Sequence, residues 1–467
     1  MCGIIGTILS TRNAAEKIML GLFAEQHRGQ ESCGMAVSDG KSLQLRKEMG
    51  LVKEVFPQAI LDTLPGFAGV GHVRYPTRGK NCESNSQPHL IKLLSGPSFA
   101  VASNGDIVNY KSRRKLLEDD NVFFESDNDG ELLAKFIAYY IVRRNNSPEI
   151  AIAELIRNVR GAFSTVFLTR DQLYAFRDPW GIRPVSFGRI NGKGWVVASE
   201  SCSLDILGAK SQREIEPGEI VIFESYNKCK TIRYTDFGEA VEPQSRRHCI
   251  FELIYFARPD SYEFGEYVWN VQKQIGSSLA KDDKEINPDL VISIPDSSNF
   301  MALGYADFKK IGFDIGLLRN HYVGRTFLKP EQRIRDEAVR QKFNPLKGYF
   351  KGKKIVVVDD SIVRGTTVRK IVRAIKKTGA KEIHLRIGSP PVKFPCYYGI
   401  DTPTREELVA NQKNLEELRE FIGANSLKYL SMENLKSCVK HPENFCQACF
   451  NGDYILEPEA GFSKCNK

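Results

Sequence analysis

The chain has 467 residues, a formal charge of +9 at pH 7, 42% hydrophobic residues and 26% charged residues. That is long enough for two or three domains with their own cores, and ordinary for a globular protein. No run of about eighteen apolar residues occurs, which excludes a helical membrane span, and the scattered Lys and Arg suit anionic small molecules better than nucleic acid.

The opening MCGIIGTILSTR lacks the basic region and small-residue cleavage site of a secretory signal. Eleven cysteines, an odd count, argue against a disulfide framework and for a reducing, cytoplasmic setting. Residues 2–235 read as a β-rich domain. Apolar runs recur at Gly3–Leu9, Phe67–Val73, Ser98–Ser103, Phe163–Leu168, Leu173–Phe176, Trp195–Ser199 and Glu219–Phe223, separated by turn residues. Helical spacing falls at Ala14–Ala24, Gly130–Arg143 and Pro148–Asn158, the first capped by Thr11 or Asn13. The polar, Pro-containing DFGEAVEPQSRR makes 236–249 a linker. From 250 to 467 strands at Leu290–Ile294, Ile355–Val358 and Glu382–Ile387 alternate with helices, the pattern of a parallel sheet.

Cys2 follows the initiator Met, whose removal would place the thiol beside its own α-amine. Such an amine titrates at about 7.7–8.0, so one residue would supply both nucleophile and general base. Ser103-Asn104-Gly105-Asp106 reads as a turn offering a side-chain amide, on Asn104, and a backbone N–H, on Gly105, to an oxyanion. A free amino acid needs a cation for its α-carboxylate and an anion for its α-ammonium; Arg74, ending a strand, and Asp129, beginning a helix, fit those roles.

The second constellation is Ile355–Val368, IVVVDDSIVRGTTV. Four β-branched residues predict a strand buried on both faces, and Val368, Ile371, Val372 and Ile375 predict a helix closed by Gly379. Between them the N–H groups of Ser361–Thr367 and the hydroxyls of Thr366 and Thr367 make a phosphate cradle, with Gly365 allowing close approach. Asp359 and Asp360 would take ribose hydroxyls, directly or through Mg²⁺. Ile294-Pro295-Asp296-Ser297-Ser298 also follows a strand, and Ser297 could instead cap the helix Asn299–Lys310. Cys249, Cys396, Cys446 and Cys449 could bind Zn²⁺ or an iron–sulfur cluster, with only one C-x-x-C among them.

These strings, in this order and over nearly the whole chain, resemble the glutamine phosphoribosylpyrophosphate (PRPP) amidotransferase family, in its iron–sulfur branch. The resemblance implies an N-terminal-nucleophile αββα glutaminase domain of four layers, α+β in class, followed by an α/β type I phosphoribosyltransferase domain. It implies ammonia transfer from glutamine to C1 of PRPP, giving 5-phosphoribosylamine and opening purine biosynthesis. Catalytic roles fall on Cys2, Asn104 and Gly105; glutamine binding on Arg74 and Asp129. PRPP binding falls on Asp359, Asp360, Ser361, Arg364, Gly365, Thr366 and Thr367, with Tyr322 and Arg325 in a lid within RNHYVGRTF. Ser297, Asp359 and Asp360 would surround Mg²⁺, and the four cysteines would hold a structural 4Fe–4S cluster. Feedback by purine nucleotides and a homotetramer are also implied.

The chain departs from that family at Ser103, Pro76, Arg78–Asn85, Arg319 and His321, and has only Met1 where the iron–sulfur branch carries a propeptide. The departures leave room for a PRPP-binding regulator with a drifted glutaminase half. A sugar-phosphate amidotransferase is disfavoured, because the loop at Asp359 has no place in one.

Overall fold

The structure, a computed structural model, describes residues 1–76, 78–93, 98–240, 245–284, 286–320 and 343–459. Its first half is built on two antiparallel sheets. One runs β11 (Lys210–Glu214), β9 (Ser186–Ile190), β10 (Gly194–Ala198), β1 (Gly3–Leu9), β4 (Ala68–Arg74), β2 (Ser32–Ser38), β3 (Leu43–Met49). The other runs β13 (Lys228–Arg233), β12 (Glu219–Ser225), β8 (Leu173–Arg177), β7 (Gly161–Leu168), β6 (Phe99–Ile107), β5 (His89–Ile91).

Strand β1 shows why the layers form. Its side chains alternate between faces, as strand geometry demands. Ile4 and Ile8 enter a core with Ala100, Ala102 and Val166 of the second sheet. Ile5 and Leu9 face the other way, onto Ile18 and Leu22 of helix α1 (Ala14–Ala24). The second sheet repeats the pattern: Phe99, Val101 and Phe163 pack on Leu132, Leu133 and Phe136 of α2 (Asp129–Arg143), with α3 (Pro148–Asn158) beside it. The result is helix, sheet, sheet, helix. Strands such as β1 and β7 are buried along their whole length and read as nearly continuous apolar runs, while β3 and β13 stay partly exposed.

The second half centres on four parallel strands in the order β15 (Leu290–Ser293), β16 (Lys354–Asp359), β17 (Glu382–Ile387), β18 (Ser426–Tyr429). Ile355 and Val357 face one core and Val356 and Val358 the other. The second of these cores crosses between the halves: Met1, Ala162, Trp180 and Ile182 pack with Cys249, Tyr398 and Ile400. The end of the expected linker is a strand, β14 (His248–Cys249), paired in parallel with β19 (Phe445–Cys446), so that Cys249 lies opposite Cys446. Tertiary pairing with the tail overrides the polar composition just before it.

Three local expectations change. Ser103–Asp106 is not a turn but the middle of β6, because Asn104 and Gly105 pair with Ser164 and Phe163 of β7. Helix α4 (Thr366–Lys376) ends with Lys377 as its C-cap; Gly379, with φ +93°, lies two residues further on. Helix α1 starts after Asn13, whose side chain makes no capping bond and instead meets Thr11.

Candidate active sites

Cys2 is buried at the head of β1, between β10 and β4. Its thiol lies 3.5 Å from the carbonyl oxygen of Tyr75, its backbone N–H donates to Asn104 Oδ1 at 3.2 Å, and its carbonyl accepts from Arg28 Nε at 2.9 Å. Asn104 Nδ2 is buried and has no hydrogen-bond partner among the described residues. A buried amide donor without a partner is costly, which is the state expected of a group waiting for an anion. Gly105 follows it in β6, and no other residue fits: a Cβ there would stand 1.7 Å from the Ala162 carbonyl oxygen. From the other half of the chain Gly399 lies against the same backbone, 3.0 Å from Gly105 to the nearest point of an added Cβ.

The Ser103 departure falls on the opposite face of β6 from Asn104. Its hydroxyl meets Thr165 Oγ1 at 2.8 Å, and Gln87 brackets its backbone. Arg74 is buried, and its Nη2 gathers the carbonyls of Arg78 (3.0 Å), Gly79 (3.4 Å) and Lys80 (3.2 Å). Arg78 in turn pairs with Asp106 at 2.9 Å. Asp129 opens α2 behind the N-cap Asn128. Burial first, and then the Asp106 charge, push its carboxyl up to about 7, with Arg78 pulling the other way. His72, on β4, is held neutral by burial and by Arg74, its pKa lowered to about 3.

At the second site β15 and β16 end side by side, Ser293 opposite Val358, and both loops leave the carboxyl edge of the sheet. There Ser297 Oγ donates to Asp360 Oδ2 and Ser361 Oγ to Asp360 Oδ1, each at 2.6 Å. The structure thus brings Ser297, Asp360 and Ser361 together. The helix N-cap is Ser298, not Ser297, and its hydroxyl is spent on the carbonyls of Ile294 and Val358. Burial, and then the neighbouring Asp360 charge, hold the Asp359 carboxyl far above the usual carboxylate range. Two acids so placed fit a divalent cation bound through oxygen, which would relieve their repulsion. Gly365 has φ +71° at the N-cap of α4, a conformation that favours glycine. A Cβ there would meet nothing closer than 3.5 Å, so the backbone angle explains this glycine, not crowding. Arg364 pairs with Glu407 on the surface at 3.1 Å, while Thr366 and Thr367 form the first turn of α4. Tyr322 and Arg325, with most of the expected lid, lie outside the described residues; Arg319 at its start pairs with Asp296.

Cys249, Cys396, Cys446 and Cys449 line one mainly apolar cavity with Arg183, Tyr398, Ile400 and Tyr454. Burial pushes the Cys249 thiol up to about 11, the Cys446 thiol to about 12 and the Cys449 thiol well above its ordinary value. Among the described residues no three His, Cys, Asp or Glu side chains converge on a single ion-sized point. The sequence reading missed what lies behind the nucleophile. Arg28, Glu200 and Glu252 are fully buried, with Arg28 bonded to both acids. The signal was present: a lone acid, Glu252, inside the apolar run Ile250–Phe256 needs a buried cation.

Taken together, fold and sites define a glutamine amidotransferase joined to a phosphoribosyltransferase. A glutamine amidotransferase domain model matches residues 72–205, and a phosphoribosyl transferase domain model matches 271–387. Amidophosphoribosyltransferase 1, chloroplastic, of Arabidopsis thaliana is 44% identical over 459 residues, 98% of this chain and 79% of that protein. The amidophosphoribosyltransferase of Methanocaldococcus jannaschii is 42% identical, over 98% of each chain. A solved structure of the glutamine PRPP amidotransferase of B. subtilis, complexed with ADP and GMP, matches with TM-score 0.89 and 37% identity over 99% of each chain. The chain belongs to the amidophosphoribosyltransferase family. No helix among the described residues is long and apolar enough to cross a membrane.

Proposed function

We propose that the chain transfers ammonia from glutamine to C1 of PRPP, releasing glutamate and pyrophosphate and giving 5-phosphoribosylamine, the first step of purine biosynthesis. The observation that carries the glutaminase half is Asn104, whose Oδ1 takes the Cys2 N–H while its buried Nδ2 has no partner among the described residues. Removal of Met1, itself buried between the halves, frees the Cys2 amine. That amine takes the thiol proton as sulfur bonds to the glutamine amide carbon, and Asn104 Nδ2 with the Gly105 N–H hold the oxyanion. The C–N bond breaks, ammonia leaves with the proton, and water releases glutamate from the thioester. Arg74 holds the α-carboxylate of glutamine and Asp129 its α-ammonium.

At the second site the Ser361–Thr367 loop and the start of α4 hold the sugar phosphate, and Ser297, Asp359 and Asp360 hold Mg²⁺. The ion, when bound, stabilises charge on the leaving pyrophosphate. Lid residues Tyr322 and Arg325 exclude water, so that ammonia reaches C1. The four cysteines, whose thiols line a single cavity, would hold a 4Fe–4S cluster. When bound, the cluster ties linker, loop and tail together. Brown colour and iron in anaerobically prepared protein are expected; their absence removes the cluster from this reading. Purine nucleotides are the proposed inhibitors, on likeness to the B. subtilis enzyme complexed with ADP and GMP, and a homotetramer the proposed assembly.

The test is Cys2→Ala. Glutamine-driven pyrophosphate release should vanish while release driven by added ammonia persists. A wild type showing neither activity would sink the reading.

A further inference from the structure

Behind Cys2 lies a row of buried charges that runs out of the glutaminase half. Arg28 Nε donates to the Cys2 carbonyl at 2.9 Å. Its Nη1 and Nη2 meet Glu252 Oε2 and Oε1 at 3.1 and 2.9 Å, and Nη1 also meets Glu200. Glu252 follows Cys249 by three residues, on the far side of the linker. Arg183 then reaches Glu252 Oε1 at 3.4 Å, donates to the Tyr398 carbonyl through Nε at 2.8 Å, and lines the four-cysteine cavity. All four charged side chains have no exposed surface.

Packing alone does not call for this. A buried ion pair is often matched or bettered by apolar residues of the same volume, so four buried charges in a row are poorly explained by stability. What they do achieve is geometric. A guanidinium fixed on two carboxylates has one orientation, and its remaining N–H points at the carbonyl of the nucleophile's own residue. Glu200 belongs to the glutaminase half and Glu252 to the other, so the orientation of Arg28 is set jointly by the two halves.

We propose that Glu252, held by Arg183, is a positioning residue for the glutaminase nucleophile, acting through Arg28 on the Cys2 carbonyl, so that the transferase half sets the aim of Cys2. The proposal rests on Cys2 as nucleophile. Arg183 touches both Glu252 and the loop that carries Cys396, so a disturbance of the four-cysteine cavity would reach Cys2 by this route.

The experiment compares Glu252→Gln and Arg183→Lys with wild type and Cys2→Ala in the full-length holoenzyme. Pyrophosphate release is followed once with glutamine and once with added ammonia, below the melting temperature of each variant. In Glu252→Gln the kcat with glutamine should fall about ten- to a hundredfold, as expected for a misaimed nucleophile, with KM for glutamine and the ammonia-driven rate within about twofold. Arg183→Lys should show the same selective loss in smaller degree. A merely structural role would lower both activities in step, and that result overturns the proposal, as does full glutamine activity in Glu252→Gln. Should Glu252→Gln fail to fold, Arg183→Lys decides by the same criterion. If Cys2→Ala keeps glutamine activity, it is the nucleophile assignment that fails, not the relay.

Discussion

The two sites are built on opposite principles. The glutaminase site is buried among antiparallel strands and the start of a helix: Cys2, Asn104 and Asp129 are all buried, and Gly105, within β6, is wedged where even a methyl group would strike Ala162. The transferase site sits at strand ends, where Arg364 and Thr366 are exposed and the acids at 359 and 360 stand together at the carboxyl edge of the sheet. The first pays for rigidity with spare donors and shifted carboxyls. The second gathers phosphate and metal ligands on one short loop. A substitution in the first should therefore silence only the use of glutamine, while one in the second should silence everything.

The largest effect belongs to the acids. Asp360→Asn replaces one of the two carboxylate oxygens that accept from Ser297 and Ser361 with an amide NH₂, and removes the charge of one of the three proposed Mg²⁺ ligands. Pyrophosphate release should drop at least about a thousandfold with either nitrogen source, on the scale of losing the main charge-stabilising group. A surviving ammonia-driven rate would show that the two sites are not divided in this way. Next comes Asn104→Ala, which deletes the buried Nδ2 and the acceptor for the Cys2 N–H. Loss of one oxyanion donor costs about a hundred- to a thousandfold in kcat. The loss should appear with glutamine and not with ammonia.

A pH series sharpens the contrast further. Asp129, pushed up to about 7, must be ionised to hold the α-ammonium of glutamine. KM for glutamine should therefore climb below pH 7, by about tenfold per unit once the carboxyl is protonated, while KM for PRPP does not follow. The sign for stability is opposite. Because the folded value lies above the ordinary 3.8, the unfolded chain gives up this proton first, and stability from Asp129 is lost as pH rises from about 4 through 7.

How much of this was legible in the chain depends on how local the cause is. Strand β1 and helices α1 and α3 match their expected bounds, since an apolar run or a helical period carries its own signal. The loop at Asp359 was equally plain, because strand, acids, glycine and threonines are consecutive. Asn104-Gly105 misled: by propensity the pair is a turn, and only the partner strand β7 makes it a strand. β2 and β3 went unread, as Ser32–Ser38 and Leu43–Met49 carry little apolar weight and owe their pairing to β4 and to each other. Arg28, Arg183, Glu200 and Glu252 were unreadable as a set, since their partners lie between 69 and 224 residues away.

The smallest expected effect tests the departure at Ser103. Strand alternation turns its side chain away from Asn104, toward Thr165 on β7. Ser103→Ala removes one buried hydroxyl pair and should cost about 1 kcal/mol of stability, read as a lowered unfolding midpoint. Glutamine-driven kcat should stay within about twofold, because the backbone of β6, held by Gln87 on one side and Ser164 on the other, still places Asn104 and Gly105. A large selective loss would mean that the face of β6 away from Cys2 also tunes the oxyanion donors, and the glutaminase site would then extend through the sheet instead of lying on one side of it.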